Sequence, residues 1–293
     1  MIATGFGCSD AGLVRERNED CYFVDDDLGL YIVSDGMGGH AAGDVASTTA
    51  VSAVVRYMRA RWGLLDKARR FGTDVNDIRV LLEQAVQSAS YQVFELAART
   101  PPWRGMGATF TAVLVVRNTA VVAHVGDSRL YLLRHGVIRQ VTTDHTVAGH
   151  LLRAGAIQPE DVKTSLYAHM LSRNVGMLDA VPVDTMLVDL LDGDRFLLCS
   201  DGLTEYLSDE VLASKLDDGD SSDVASQLVA IANASGGGDN VTAVVVDVQA
   251  NGQDYRSDSS RGEGRGGRTF FSDLQDQIQA MLTRGWRGLG WGL

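Results

Sequence analysis

The 293-residue sequence lacks the basic excess that nucleic-acid binding requires: 26 Lys and Arg stand against 38 Asp and Glu, a formal charge of −12. Sequence-independent grip on a polyanion needs positive surface that displaces counterions, so that class of partner is excluded. The acidic balance instead describes a solvated surface that can concentrate divalent cations. Cysteine is also scarce. Cys8, Cys21 and Cys199 are odd in number and carry no zinc-ligand spacing. They predict a reducing, cytoplasmic compartment, with Cys199 acting as a small hydrophobe inside an apolar run. No apolar run is long enough to cross a bilayer, and Met1-Ile2-Ala3-Thr4-Gly5 lacks the basic-then-apolar layout of a secretion signal. At 45% hydrophobic, the chain has material for one large domain or two small ones.

What is present is a recurring design. Leu30-Tyr31-Ile32-Val33-Ser34-Asp35-Gly36-Met37-Gly38-Gly39-His40 is an apolar, β-branched run that stops at an aspartate and continues in glycine. The run predicts a strand buried on both faces, with Asp35 at its mouth. Bare glycine backbone beside a carboxylate suits a hard cation, which takes oxygen ligands from both. Taken alone, Asp-Gly is equally good turn chemistry. Recurrence decides. Arg195 to Gly202 repeats the pattern with Asp201, and Val121 to Ser128 carries Asp127 after a glycine. Asp239 follows Gly236-Gly237-Gly238 and precedes the strand-like Val241 to Val246. Four such aspartates on separate strands predict a site.

Strands are expected over residues 3–8 and 21–35, separated by a polar loop from Gly12 to Asp20. Helices are expected from Ala41 to Arg61 and from Asp77 to Ala98, where Ile78, Leu81, Leu82, Ala85 and Val86 form one stripe. Trp62 to Asn76 reads as charged and irregular. Short β-branched runs at Thr109–Arg117, Ala120–Val125, Leu130–Arg134 and Val137–Val141 predict an antiparallel meander. Residues 144–178 break that rhythm and read as an insertion covering a binding face, with a plain connecting segment as the alternative. Strands at Val183–Leu190 and Arg195–Ser200, helices at Ser208–Leu216 and Asp223–Ala234, and a strand at Val241–Val248 complete a domain over residues 1–248. Residues 249–268 are Gly, Ser, Arg and Asp and predict a flexible linker. Residues 269–293 carry Phe270, Phe271, Leu274, Ile278, Met281 and Leu282 at helical spacing, an amphipathic tail suited to docking on its own domain or on a protein partner.

Arg15-Glu16-Arg17-Asn18-Glu19-Asp20 is a charge run of the kind that usually marks a solvated loop. A site for cations and a phosphate also needs one fixed guanidinium, because Arg holds phosphate oxygens with two parallel hydrogen bonds. Arg15 is the candidate, and Asp20 can add a carboxylate to the metal shell.

Five ordered motifs, Val14-Arg15-x-x-Asn18-Glu19-Asp20, Ser34 to His40, Gly126-Asp127-Ser128-Arg129, Ser200-Asp201-Gly202-Leu203 and Gly238-Asp239-Asn240-Val241-Thr242, resemble the protein phosphatase 2C-type (PPM) serine/threonine phosphatases of bacteria over residues 3–248. The resemblance implies an α+β fold, a four-layer α-β-β-α sandwich of two antiparallel sheets flanked by helices. It implies two core Mn²⁺ or Mg²⁺ ions, with Asp35 bridging them, the Gly36 carbonyl on one, and Asp201 and Asp239 completing the other. Asp20 would contact metal-bound water, with Glu19 second to it, and Asp127 with Asp201 would form a third, weaker site. Arg15 would bind the substrate phosphate, and 144–178 would be a flap beside the cleft. Met37 stands where some relatives have a histidine that protonates the leaving alkoxide, so the proton donor is left open and His40 is read as structural.

The physics runs the same way. Clustered carboxylates repel unless cations neutralise them, and an all-oxygen set suits Mg²⁺ or Mn²⁺ rather than zinc. Two such ions can aim a bridging hydroxide in line at phosphorus, with no protein nucleophile. The function expected is hydrolysis of phosphoserine and phosphothreonine on proteins by a monomer opposing a Ser/Thr kinase. Alternatives are a catalytically silent binding module on the same fold and a small-phosphoester hydrolase.

Overall fold

A computed structural model of the chain describes residues 1–38, 42–72, 74–162 and 164–250. His40 and the amphipathic tail, with the linker beyond Ala250, lie outside the described residues. The chain opens with β1 (Ile2–Asp10), β2 (Asp20–Asp25) and β3 (Leu30–Met37). Three helices follow, α1 (Gly43–Arg59), α2 (Trp62–Phe71) and α3 (Val75–Arg99). Then come β4 (Gly107–Ala108), β5 (Phe110–Val116), β6 (Thr119–Val125), β7 (Arg129–Arg134), β8 (Val137–Gln140) and the short α4 (Val147–Arg153). The last described elements are β9 (Asp184–Asp189), β10 (Arg195–Cys199), α5 (Asp201–Thr204), α6 (Asp209–Leu216), α7 (Ser221–Ala234) and β11 (Val241–Gln249).

The strands form two sheets. One has the order β1-β11-β10-β7-β8, the other β2-β3-β5-β6-β9 with β4 beside β3, and all neighbouring strands are antiparallel. Side chains alternate across each strand, so one strand feeds two layers of core. Tyr31 and Val33 of β3 meet Phe196, Leu198, Val244 and Val246 between the sheets. Leu30 and Ile32, one residue out of phase, face α1, α2 and α3. Leu197, Cys199 and Val245 face α5, α6 and α7 on the opposite outer face. The fold is the expected α-β-β-α sandwich, and Leu30 to Val33 are fully buried, as a strand covered on both faces requires.

Two local expectations are corrected. Residues 21–35 form a hairpin, not one strand: Asp25 accepts the Leu28 amide at 2.8 Å and Gly29 turns at φ +56°. The stretch from Trp62, expected to be irregular, begins with helix α2. It buries only Leu65 and Ala68, and is anchored by Arg69, whose guanidinium donates to the carbonyls of Asp27, Leu28 and Val115.

The exit of β3 lies tightly against the start of α1. A Cβ on Gly36 would stand 2.0 Å from the Gly43 carbonyl oxygen and 2.7 Å from that of Glu19. Gly36→Ala therefore has to displace backbone, and is expected to cost about 3 kcal/mol in urea unfolding, the upper part of the overpacking range. An unchanged unfolding midpoint would show that the helix start yields freely.

Candidate active site

The sheets bring the predicted aspartates to one edge of the sandwich. Asp20 and Asp35 are direct cross-strand partners on β2 and β3, a placement that sets like charges side by side. Asp127 lies in the turn where the chain crosses from β6 in one sheet to β7 in the other. Asp201 starts α5 at the end of β10, and Asp239 immediately precedes Asn240 and β11. A cleft of about 710 Å³ is lined by Arg15, Glu19, Asp35, Gly36, Asp127, Asp201 and Asp239. Asp20 lies behind it.

Hydrogen bonds fix the floor. Thr109 accepts the Asp35 amide at its hydroxyl (2.8 Å) and donates its own amide to the Asp35 carbonyl (2.8 Å). Ser128 meets the same hydroxyl at 2.6 Å. Asp20 Oδ2 accepts from Ser200 (2.7 Å) and Thr242 (2.6 Å), side chains of the opposite sheet's β10 end and β11. Asn240 closes the loop before β2 by donating to the carbonyls of Ala11 and Arg17 (2.9 and 2.8 Å) and accepting the Glu19 amide (2.8 Å).

The electrostatics are those of crowded anions. Burial raises the Asp35 pKa well above the carboxylate range, and Asp20, Asp201, Asp127 and Asp239 push it further the same way. Burial likewise lifts Asp20 to about 7, even against its two hydroxyl donors. Asp127, only 8% exposed, is lifted to about 8 by burial and by Asp201. Glu19 is also raised, by burial and then by Asp44.

Two of the carboxylates face a basic side chain. Arg15, expected to hold phosphate, donates to Asp239 Oδ2 at 2.8 Å; the two side chains are 55% and 33% exposed. Such a pair is worth about 1 kcal/mol or less, so a phosphate and a cation can separate it at small cost. Asp201 faces His169 at 3.8 Å. Among the described residues, no three His, Cys, Asp or Glu side chains already stand in a metal-holding group. Two carboxylate oxygens, Asp20 Oδ1 and Asp201 Oδ1, are nonetheless buried with no hydrogen-bond partner. Orphaned anionic oxygens in an all-oxygen cleft fit a hard divalent cation.

The 144–178 segment reaches the cleft through His169 and Leu171, and Met37 is among the other lining residues. A side pocket of about 190 Å³ continues beneath the segment, between Ala168 and His169 on one side and Thr204 and Glu205 on the other. Sequence reasoning gave no role to His169, Thr109, Ser200 or Thr242. Ser200 and Thr242 fall inside two of the quoted motifs without a stated task, and a lone histidine in a polar stretch or a threonine between two short strands carries no spacing that marks it.

A family model described as "Protein phosphatase 2C" matches residues 8–230. The chain is 36% identical over 246 residues to "Serine/threonine phosphatase stp" of Listeria monocytogenes, covering 82% of this chain and 93% of that protein. It is 37% identical over 240 residues to "Serine/threonine protein phosphatase PstP" of Mycobacterium tuberculosis, covering 82% of this chain and 44% of that longer protein. The crystal structure of the Mycobacterium tuberculosis phosphatase PstP/Ppp superposes with a TM-score of 0.76 at 34% identity, over 85% of this chain and all (100%) of that one. The catalytic domain of PstP solved with two manganese ions gives 0.73 at 35% identity, over 85% and 99% of the two chains.

Proposed function

Because the chain belongs to the protein phosphatase 2C family, in its bacterial PPM branch, we propose that it removes phosphate from phosphoserine and phosphothreonine in proteins, using Mn²⁺ or Mg²⁺. The observation that carries this is the convergence of five aspartates from distant segments, four of which raise the proton affinity of the fifth, Asp35. Asp35, the Gly36 carbonyl, Asp201 and Asp239 would hold two core ions, Asp20 would support their shell, and Asp127 with Asp201 would hold a third. When bound, such ions supply a water deprotonated near neutral pH and positive charge opposite the phosphoryl oxygens.

The protein's own part is placement. Arg15 exchanges Asp239 for the substrate phosphate, gripping two oxygens and offsetting charge that grows on them. The Thr109 hydroxyl is committed to Asp35 and Ser128, so it is not free as a nucleophile, and Met37 offers no proton. The 144–178 segment sits where a phosphoprotein would approach, and the side pocket beneath it leaves room for a residue next to the phosphorylated one. We place the enzyme in the cytoplasm opposing a Ser/Thr kinase; the three free cysteines fit that compartment. None of the described helices is long and apolar enough to cross a membrane.

Purified chain with Mn²⁺ is expected to release phosphate from a phosphothreonine protein, to stop when EDTA is added, and to turn over nucleotides at least about a hundredfold less efficiently, a difference of roughly 3 kcal/mol in transition-state binding. Equal turnover of nucleotides would favour a small-phosphoester hydrolase. No divalent binding by calorimetry would mark a silent module.

A further inference from the structure

A buried histidine clamps the turn that carries Asp127. His145 is 2% exposed, and it bonds Gly126 twice. Its amide donates to the Gly126 carbonyl at 2.7 Å, and the Gly126 amide donates to His145 Nδ1 at 3.1 Å. A backbone N–H can only donate, so Nδ1 is the bare nitrogen and Nε2 carries the proton. That proton points to Asp184 Oδ2 at 3.0 Å, and Arg173 donates to the other oxygen of Asp184 at 2.7 Å; the guanidinium's 3.3 Å approach to Nε2 is then a contact between two donors, not a hydrogen bond. The His145 carbonyl accepts the Ser172 amide at 2.8 Å. The ring therefore joins the Asp127 turn to the last residues of the 144–178 segment and to the start of β9. Gly126 itself has φ +110°, and a Cβ there would stand 2.6 Å from Thr109, so the turn has one conformation and two walls. Thr109 bonds Ser128 on one side, and His145 holds Gly126 on the other.

We infer that His145 is a positioning residue for Asp127: its Nδ1 fixes the Gly126 amide and hence the aspartate's approach to the cleft, while Asp184 and Arg173 tie that clamp to the covering segment. The metal consequence rests on the reading of Asp127 as a cation ligand; the clamp itself does not. Groups that orient ligands from behind typically change metal affinity by about 10- to 100-fold when removed.

The two nitrogens can be separated by substitution. In His145→Asn the amide oxygen falls near the Nδ1 position and can still accept from Gly126, but cannot reach Asp184. In His145→Gln the amide falls near Nε2 and can reach Asp184, but leaves Gly126 without an acceptor. Two readouts apply to the full chain: hydrogen exchange of the Gly126 amide in EDTA, and Mn²⁺ calorimetry with Asp127→Asn as the reference for the weak site. Gln is expected to speed Gly126 exchange by about tenfold, the worth of one hydrogen bond, and to weaken the Asp127-dependent Mn²⁺ site by about 10- to 100-fold. Asn is expected to stay within about threefold of the parent in both, because the acceptor survives. A role in packing alone would reverse the ranking, since Gln fills the ring's volume better. That reversal, or equal behaviour of the two, overturns the inference. Asp184→Ala, at a side chain 43% exposed, tests the tautomer: without that acceptor the ring proton is free to move to Nδ1 and turn away the Gly126 amide, a route closed to the Asn variant, whose oxygen still accepts. Faster Gly126 exchange there supports the tie between Asp184 and the clamp, and unchanged exchange overturns it. If Asp127→Asn leaves the Mn²⁺ isotherm intact, the metal reading of Asp127 fails, while the exchange data still decide the clamp.

Discussion

Asp35→Ala is expected to lower Mn²⁺-dependent phosphate release from a phosphoprotein by at least about a thousandfold, roughly 4 kcal/mol of transition-state stabilisation. Asp35 is the carboxylate on which the field of all the others converges, and the one assigned to both core ions. Its loss would remove a ligand from each at once, which no neighbour can replace, because Asp20 is held by Ser200 and Thr242 and Asp239 reaches the cleft from the opposite sheet. The same substitution is expected to make the metal-free protein more stable, because it deletes the buried carboxyl whose ionisation the cluster most disfavours while leaving the Thr109 contacts to its backbone in place. Activity loss and a raised melting temperature in EDTA, measured on one preparation, form a paired signature that simple misfolding cannot give. More than a tenth of parental activity in the variant would end the two-ion assignment.

Thermal stability without metal is expected to fall as pH rises from about 6 to 8, and saturating Mn²⁺ is expected to restore it. Asp20 and Asp127 hold their protons up to about 7 and about 8 in the folded chain, against 3.8 for a free aspartate. Groups whose pKa is raised by folding stabilise fully below the unfolded value, and that contribution is lost as pH climbs through the folded one. His124 works in the opposite sense. Burial, then His145, lowers it to about 4 from 6.5, so its contribution is present above 6.5 and lost as pH falls toward 4. The metal-free protein should therefore be most stable in mildly acid solution. Mn²⁺ at a thousand times its dissociation constant adds about 4 kcal/mol, or about 10 °C in melting temperature for a domain of this size. A melting temperature at pH 7.5 that ignores both Mn²⁺ and EDTA would refute the assignment.

The sequence made legible what short-range pattern controls. Leu30 to Val33 announce a doubly covered strand because continuous apolar runs have few other uses, and an aspartate followed by glycine marks where such a strand stops. The strands from Phe110 to Gln140 are legible because their β-branched periods are broken by turn residues, and His135 with Gly136 does turn at positive φ. Helix α2 was not legible. Its two buried side chains, Leu65 and Ala68, lie one turn apart but are too few to stand out among charged neighbours, and what holds the helix is Arg69 reaching carbonyls 41 and 46 residues away in sequence. The hairpin at Asp25 to Gly29 was missed although Asp25-Asp26-Asp27 and Gly29 are turn residues, because apolar stretches flank them closely on both sides. Within the site, the aspartates were visible and the roles of their supports were not. Ser200 and Thr242 matter only because Asp20 lies across the sandwich from them, and His145 only because folding sets its ring under Gly126.

The hydroxyls of Ser200 and Thr242 reach across a seam. Asp20 and Asp35 ride on one slab of the protein, Asp201 and Asp239 on the other, and Asp127 sits on the turn between. The spacing across the acidic cleft thus depends on the thickness of the apolar filling, to which buried side chains such as Tyr31, Phe196 and Val244 contribute. Trading one of these for a bulkier or slimmer neighbour would widen or narrow the gap between the two halves of the acidic set. Residues deep in the oil of this enzyme can thereby retune its chemistry without any change at its mouth.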